Sequence, residues 1–211
     1  MMLEKRRQEK PVKKLISIVV PMYNEESTLE MMYEELNKVT WSMPEYTFEY
    51  VFVNDGSKDK TPEIAQKYCD MYPASVRLIN QENKGHGGAL NTGCAAAVGK
   101  YLKVIDADDW VETENLSEFV NALKNCESDV VLTHYYTIDI STNEVKKWKS
   151  YPKEFNKSYS FDTIMSEWRS FDRVLLFHGI TYNTKFYQTN KIKLSEYVFY
   201  EDHEFSTIPC C

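Results

Sequence analysis

Strand-like apolar runs alternate with helical patterns from residue 15 to about residue 133, and this alternation constrains the fold more than any other feature. The runs cover residues 15–20, 50–53, 76–79 and 104–105. Strands that alternate with helices in this way favour a largely parallel sheet with helices on both faces. The sequence therefore predicts an α/β fold, a Rossmann-like and mostly parallel sheet flanked by helices.

Apolar residues at helical spacing mark the faces that would pack on this sheet. One helix is predicted to begin with Thr61 as its N-cap and Pro62 in its first turn. Another, rich in small residues, is predicted over 89–98 and ends at Gly99. The residues expected to face inward are Leu29, Met32, Tyr33 and Leu36, then Ile64, Tyr68 and Met71, and finally Leu116, Phe119, Val120 and Leu123.

Three of the runs end in polar or acidic turns. The turns contain Pro21, Tyr23, Asn24 and Glu25, then Asn54, Asp55, Gly56 and Ser57, and last Asp106, Asp108 and Asp109. In open α/β sheets ligands bind at the carboxyl ends of the strands, where all three turns would lie. Crowded carboxylates repel one another, and their hard oxygens suit Mg²⁺ or Mn²⁺, which complete their coordination with substrate phosphates. These turns predict a metal-bound phosphorylated ligand, with ordinary solvated turns as the alternative.

The glycines between residues 85 and 100 match neither of two familiar phosphate motifs. Leu90 stands where a dinucleotide fingerprint needs its third glycine, and the spacing from Gly93 to Lys100 is wrong for a P-loop. Gly85, Gly87 and Gly88 lie just before a predicted helix, where backbone N–H groups can approach a pyrophosphate. A plain flexible loop is the alternative.

Composition narrows the class of protein. The 211 residues are 43% hydrophobic and carry a net charge of −7, which disfavours a nucleic-acid partner. Mean hydropathy is −0.51, and no run approaches transmembrane length. The five cysteines form no CxxC pair, which argues against zinc and a disulfide scaffold and favours a reducing cytoplasm. Residues 1–14 are predicted to be a charged tail, with contact to an anionic membrane surface as the alternative.

The order of these motifs resembles the N-terminal half of a family 2 glycosyltransferase of the GT-A (nucleotide-diphospho-sugar transferase) fold. The resemblance runs continuously over residues 16–110. Its parts are the strand and turn at 18–25, the acidic turn at 53–59 with Thr61, the glycine-rich segment at 83–99, and a DxD motif at 106–109.

The resemblance implies roles for individual residues. Pro21, Tyr23, Glu25 and Asp55 would line the base and ribose of a nucleotide sugar. Asp106 would contact ribose or metal, and Asp108 would hold a divalent cation, Mn²⁺ or Mg²⁺, that bridges the two phosphates. Lys84 and Gly85, from the glycine-rich segment, join the nucleotide-sugar-binding set. Many relatives have an arginine where this chain has Leu90, and Lys84 or His86 could supply the lost phosphate or base contact. For Glu25 and Asp55, capping and turn chemistry is the alternative.

The acidic pair Glu201–Asp202 resembles a later family motif, which implies that Asp202 is the general base of an inverting transfer. The alternative is an acidic helix start. His203 is either a further metal ligand or a surface residue. The candidates for a sugar-stacking platform near the acceptor, with core packing as the alternative, are Trp148, Trp168, Tyr182, Phe199 and Tyr200.

The expected activity is an inverting, metal-dependent transfer of a sugar from a UDP-sugar to an acceptor hydroxyl on a saccharide or a lipid-linked molecule. The implied setting is surface-polysaccharide synthesis, in the cytoplasm or peripherally at the inner face of the cell membrane. Two alternatives stay open. One is a polyprenyl-phosphate sugar transferase, whose glycine-rich segment resembles 84–89, and the other is a catalytically silent nucleotide-sugar-binding domain.

The predicted organisation is a tail over 1–14 and a glycosyltransferase domain over 15–211. Within the domain, 15–110 would be the nucleotide-sugar half and 111–211 the acceptor and catalytic half, with 134–200 folding over the donor site as strands and a helix. The chain is expected to be truncated at its C-terminus, because it ends at Cys211 without the helices that usually follow in the family. The sugar, the linkage and the oligomeric state are left open.

Overall fold

The computed structural model describes residues 14–41, 47–148, 157–167 and 177–210. Within these ranges the chain forms one six-stranded sheet, a separate two-stranded sheet and seven α-helices. The predicted tail before residue 14, Trp168 and Cys211 lie outside the described residues.

The six-stranded sheet has the order β3-β2-β1-β4-β8-β5. Strands β1 to β4 pair in parallel, and β8 pairs antiparallel with both β4 and β5. The prediction of a mostly parallel sheet is therefore confirmed. The strands are β1 (Lys14–Met22), β2 (Thr47–Asp55), β3 (Val76–Gln81), β4 (Tyr101–Val104), β5 (Val130–Leu132) and β8 (Ile180–Asn183), and the small sheet is β6 (Tyr135–Ile138) with β7 (Val145–Trp148).

Helices cover both faces of the large sheet. They are α1 (Leu29–Trp41), α2 (Thr61–Met71), α3 (Gly85–Ala96), α4 (Thr113–Lys124), α5 (Phe161–Ser166), α6 (Thr184–Thr189) and α7 (Glu201–Thr207). The apolar faces of α1, α2 and α4 pack against one side of the sheet, and α3 and α7 join a second cluster on the other side. A Cβ at position 93 of α3 would lie 2.3 Å from Val19 Cγ1, so glycine there lets the helix lie directly on the sheet.

Several predicted details are wrong. Thr61 is the first residue of α2 and not its cap; its hydroxyl instead accepts a hydrogen bond from the Glu25 N–H (2.7 Å) and donates one to Asp59 (2.6 Å). Met71, predicted to face inward, is exposed. Helix α3 begins at Gly85 and ends at Ala96, because tertiary packing overrides the low helix propensity of glycine.

The prediction that 134–200 folds over the donor site stays a prediction. Among the described residues of this region, β8 pairs within the large sheet, between β4 and β5. In the parts of the chain that the structure describes, no helix combines the length and the apolar character that a membrane crossing needs.

Candidate functional site

The turns that follow β1 and β2 are tied to each other. Asn24 N–H donates to Ser57 Oγ (3.0 Å), and Lys58 N–H donates to Asn24 Oδ1 (2.8 Å). Asn24 has a left-handed backbone (φ 59), and the neighbouring Tyr23 is exposed. Pro21, by contrast, lies inside β1 and is buried opposite Val53. These bonds form a fixed rim that presents the Tyr23 ring to solvent at the carboxyl end of the sheet.

Two predicted nucleotide contacts also stabilise the local turns. The buried Asp55 accepts hydrogen bonds from Gln81 Nε2 (2.7 Å) and from the Lys84 N–H (2.9 Å), both at Oδ1. Glu25 accepts one from the Thr28 hydroxyl (2.6 Å). The bonds of Asp55 orient the loop between β3 and α3. Both carboxylates therefore accept hydrogen bonds that stabilise local structure, and their binding to a nucleotide stays a prediction.

The glycine-rich start of α3 packs closely against the segment that precedes α7. Gly85 has a left-handed backbone (φ 77) that favours glycine, and the neighbouring Lys84 carbonyl accepts a hydrogen bond from the Tyr197 N–H (2.9 Å). A Cβ at position 87 would lie 2.2 Å from the Ser195 carbonyl oxygen. Glycine at 87 therefore allows α3 to touch this segment.

The acidic run after β4 has one exposed and two half-buried carboxylates. Asp108 is exposed, whereas Asp106 and Asp109 are partly covered. Asp109 Oδ2 lies 3.3 Å from Nδ1 of His178. One ligand atom from each of Asp106, Asp109 and His178 lies within 4.8 Å of the others, a combination of two carboxylate oxygens and one imidazole nitrogen that fits a divalent cation such as Mn²⁺. Asp108 is not part of this cluster, and its predicted metal role stays untested.

Hydrogen bonding changes the pKa of His178. The bond to Asp109 raises the pKa of the imidazole above its ordinary value, and burial opposes this effect. The ring also packs against Tyr135, with a centroid distance of 5.3 Å. The β6–β7 sheet thus reaches the side of the cluster.

His86 joins the acidic run to helix α7. Its Nε2 lies 3.0 Å from Asp106 Oδ1, and its Nδ1 lies 2.8 Å from Glu201 Oε1. Burial by itself would lower the pKa of this imidazole, but the two carboxylates outweigh burial and raise it. Hydrogen bonds to both carboxylates require an N–H on each ring nitrogen, so the geometry fits the imidazolium.

Of the acidic pair, the structure brings Glu201 and not Asp202 to His86. Glu201 is buried, and Asp202 is half-buried with no side-chain hydrogen bond to another described residue. His203 is exposed and lies outside the cluster. The role of Asp202 as a base is neither supported nor opposed by these contacts.

The aromatic candidates separate into different environments. Tyr182 is fully buried in the core, so the packing alternative holds there. Trp148 is half-buried and stacks on Tyr135 with a centroid distance of 6.1 Å. Phe199 and Tyr200 are exposed.

Sequence reasoning identified Asp106 but missed three partners. Asp109 was part of the run, yet its pairing depends on a turn whose side-chain directions the spacing does not reveal. His178 lies far along the chain in a segment with no recognisable motif. Glu201 could have been found only by placing the acidic pair at the start of a helix that packs against α3.

Known proteins resemble this chain in sequence. The family model described as glycosyl transferase family 2 matches residues 17–191, and the chain belongs to that family. Over 128 residues it is 35% identical to glycosyltransferase GlyG of Streptococcus pneumoniae, a match that covers 60% of this chain and 41% of that protein. Over 125 residues it is 38% identical to the dolichyl-phosphate beta-glucosyltransferase of Homo sapiens, covering 55% of this chain and 38% of that protein. The matches thus span about two fifths of each relative's length.

Solved structures show that the chain has the GT-A fold. The S. aureus TarS 1-349 structure superposes with a TM-score of 0.72 at 24% identity, over 93% of this chain and 55% of that one. TarS has also been solved with UDP-GlcNAc. The mannosyltransferase PcManGT of Pyrobaculum calidifontis, solved with GDP-Man and Mn²⁺, gives a TM-score of 0.60 at 18% identity, over 94% of this chain and 52% of that chain.

Proposed function

We propose that the chain is an inverting glycosyltransferase that transfers a sugar from a nucleotide sugar to an acceptor hydroxyl with the help of a divalent cation. The observation that carries the proposal is the cluster of Asp106, Asp109 and His178 at the carboxyl end of β4 in a family 2 chain. This is the edge of an α/β sheet at which ligands bind.

The donor is a nucleoside diphosphate sugar, and UDP is the expected nucleotide. Support comes from TarS, which binds UDP-GlcNAc, while PcManGT with GDP-Man makes GDP the competitor to be tested. The exposed Tyr23 ring is available to stack on the base, and Glu25 and Asp55 lie in the adjoining turns. Lys84 and Gly85 form the next part of the rim, where a diphosphate would pass.

The fit of the cluster to a divalent cation rests on its donor atoms, two carboxylate oxygens and an imidazole nitrogen. A bound cation would offset the negative charge that develops on the departing diphosphate. In this proposal Asp106, Asp109 and His178 hold the ion. The DxD resemblance gives a competing set, Asp106 with Asp108.

The proton of the acceptor hydroxyl needs a carboxylate on the face opposite the leaving group, and Asp202 remains the proposed base. Its neighbour Glu201 is held by His86, which fixes the start of α7 relative to Asp106. A positioned base contributes about 10²–10⁴-fold in rate. Replacing Asp202 by asparagine is expected to abolish transfer and to spare nucleotide binding.

A second candidate is transfer to a polyprenyl phosphate. The observation that favours it is the 38% identity to a dolichyl-phosphate beta-glucosyltransferase. Transfer to undecaprenyl phosphate as the sole acceptor would support it. The proposed setting, surface-polysaccharide synthesis at the inner face of the cell membrane, rests on the family resemblance.

Calorimetric titration of UDP and of GDP, each with and without Mn²⁺, tests the donor proposal. We expect one nucleotide to bind only when Mn²⁺ is present. We expect Asp109→Asn and His178→Asn to weaken this binding by at least about tenfold, because losing even an outer-shell partner of a metal ligand costs about 10–100-fold. Asp108→Asn separates the two ligand sets, because it matters only if the DxD assignment is correct. Asp70→Asn, at an exposed position of α2, is the control.

Each result has a definite meaning for the proposal. Loss of binding in Asp108→Asn alone would replace the Asp109–His178 assignment with the DxD assignment. Absence of any nucleotide binding by the wild type would reject the proposal. Tight binding without sugar transfer to any supplied acceptor would identify the chain as a silent nucleotide-sugar-binding domain.

A further inference from the structure

Asp55, the last residue of β2, lies beside Gln81, the last residue of β3. The two residues are opposite each other in the parallel ladder, and Asp55 is only 3% exposed. Gln81 Nε2 donates to Asp55 Oδ1 (2.7 Å), and the Lys84 N–H donates to the same oxygen (2.9 Å). One oxygen of the carboxylate therefore receives both donors.

The other oxygen of Asp55, Oδ2, is left for a different partner. No residue in the described parts of the chain donates a hydrogen bond to it. It is also not among the described side-chain atoms that are fully enclosed without a partner, so it is open to solvent at the carboxyl end of the sheet. An unpaired acceptor in a buried carboxylate is costly. An N–H of a bound ligand would supply the donor that Oδ2 lacks.

The direction of the Gln81 amide is set by its two neighbours. The ionised Asp55 carboxylate only accepts hydrogen bonds, so the NH₂ group of Gln81 must face it and the amide oxygen must point the other way. The Thr92 hydroxyl, on α3, donates to this oxygen, Oε1, at 2.6 Å. Thr92 and Asp55 thus hold the Gln81 side chain between them.

Neighbouring bonds fix the end of β2 relative to the rim of the candidate site. Asn54 Oδ1 accepts a hydrogen bond from the Ser57 N–H (3.0 Å). Ser57 Oγ accepts one from the N–H of Asn24, which follows the exposed Tyr23 (3.0 Å). The Asp55 carboxylate is therefore fixed near the ring on which the base is proposed to stack.

Nucleobases differ in the donors that they present to a carboxylate. Uracil has one ring N–H, which lies between two carbonyl groups. Guanine has a ring N–H with an amino N–H beside it, and these adjacent donors match a carboxylate whose two oxygens are both free. Because Oδ1 of Asp55 already accepts two hydrogen bonds, only Oδ2 is available, and guanine would leave one donor unpaired.

We propose that Gln81 is a specificity-determining residue, which occupies Oδ1 of Asp55 and leaves a single acceptor that selects uracil over guanine. Thr92 acts through Gln81 and is a positioning residue. The inference rests on the proposed function, and it assigns the choice of base at the donor site to the Gln81 side chain.

Calorimetric titration of UDP and of GDP, each with Mn²⁺ present, into the wild type, Gln81→Met and Thr92→Val tests this proposal. Methionine keeps the length of Gln81 without its N–H groups, and valine keeps the shape of Thr92 without its hydroxyl. We expect the wild type to bind UDP at least about tenfold more tightly than GDP, because the guanine complex leaves a donor unpaired. We expect Gln81→Met to lower this ratio by about tenfold, and Thr92→Val to lower it in the same direction.

The matched control is Gln66→Met, which removes the same amide from an exposed position of α2. Gln66 Nε2 donates to Asp70 Oδ1 (2.8 Å), so this variant also removes a glutamine that bonds to an aspartate. Its ratio of UDP to GDP affinity is expected to equal that of the wild type. Should Gln81→Met fail to fold, as circular dichroism would show, Thr92→Val decides the test because it leaves Gln81 in the chain.

Three results would overturn the inference. One is a wild type that binds UDP no more tightly than GDP. Another is that Gln81→Met and Thr92→Val weaken both nucleotides by the same factor, as a purely structural role or a contact of Asp55 with the ribose alone would produce. The third is that Gln66→Met changes the ratio as much as Gln81→Met does. Absence of all nucleotide binding by the wild type would reject the donor proposal as well, whereas binding with an unchanged ratio rejects only the role of Gln81.

Discussion

Among single residues, His86 has the most consequential position, because it bonds to carboxylates from two distant parts of the chain. His86→Ala removes the shared donor of Asp106 and Glu201, and a hydrogen bond to a charged group contributes about 1.5–3 kcal/mol. We expect amide hydrogen exchange in α7 to become about tenfold faster or more, as measured by mass spectrometry. His203→Ala, at an exposed position of the same helix, is the control. Unchanged protection of α7 in His86→Ala would show that packing alone holds the helix.

The buried carboxylate of Glu49 gives a second prediction at this scale. It is fully buried, accepts hydrogen bonds from Ser17 Oγ (2.6 Å) and Val98 N–H (3.0 Å), and pairs with Arg77 (2.7 Å). Arg77→Ala leaves this charge without its cation. A hydrogen bond to a charged group contributes about 1.5–3 kcal/mol. We expect the free energy of unfolding in urea to fall by about 1.5 kcal/mol, the lower end of this range, because the Arg77 side chain is 42% exposed and solvent screens its charge.

Lys38→Ala is the control for the Arg77 substitution, because it breaks an exposed pair with Glu35 that contributes about 0–1 kcal/mol. Equal effects of the two substitutions would mean that Glu49 is satisfied without Arg77.

Residue-level prediction from the sequence reached candidates whose chemistry and local spacing coincide, and their roles stay predictions. Asp106 was identified because it directly follows a strand. The pairing of Asp109 with His178 was not, because it depends on which way two side chains point after the chain has folded. The spacing also could not reveal that glycine at 87 permits close packing against the Ser195 carbonyl, because that contact forms only in the folded chain.

At the scale of elements, the contact of α3 with the sheet yields a prediction. Gly93→Ala would place a Cβ 2.3 Å from Val19 and 3.1 Å from Val53. Alanine raises helix propensity by about 1 kcal/mol, and overpacking costs about 1–3 kcal/mol, so we expect a net loss of stability in urea. Met31→Ala, at an exposed site of α1, is expected to change stability by less than about 0.5 kcal/mol. A more stable Gly93→Ala variant would place α3 farther from the sheet.

The elements that the sequence predicted best are those with strong local patterns. Strands β1 to β4 and helices α1 and α4 were found because their apolar residues repeat at the period of the element. Strand β8 was not assigned, because four residues at 180–183 carry little pattern and their partners lie far away in the chain. The cap at Thr61 was wrong because its hydroxyl is used by Glu25 and Asp59, a tertiary contact that local reasoning does not include.

For the whole molecule, β8 lies between β4 and β5, and we predict that its pairing is needed for the stability of the sheet. Thr181 is fully buried and pairs with Lys103 on one side and Val131 on the other. Thr181→Pro removes a ladder donor from a central strand, and we expect it to lower the free energy of unfolding by about 3 kcal/mol or more, measured by circular dichroism in urea.

The matched control is Thr137→Pro in the separate β6–β7 sheet, where we expect a smaller effect on global unfolding. Similar losses in both variants would contradict the central role of β8.

The strand order also has a consequence for how the chain is made. A ribosome delivers β4 well before β8, so the edge of β4 stays unpaired while the intervening residues are synthesised. An unpaired strand edge is a template for pairing with other chains, and non-local strand pairing is slow. Residues 15–110 would line the donor pocket, yet their sheet is completed only when residue 183 has emerged. The nascent chain is thus most prone to aggregation during the interval in which its proposed nucleotide-binding turns are already present.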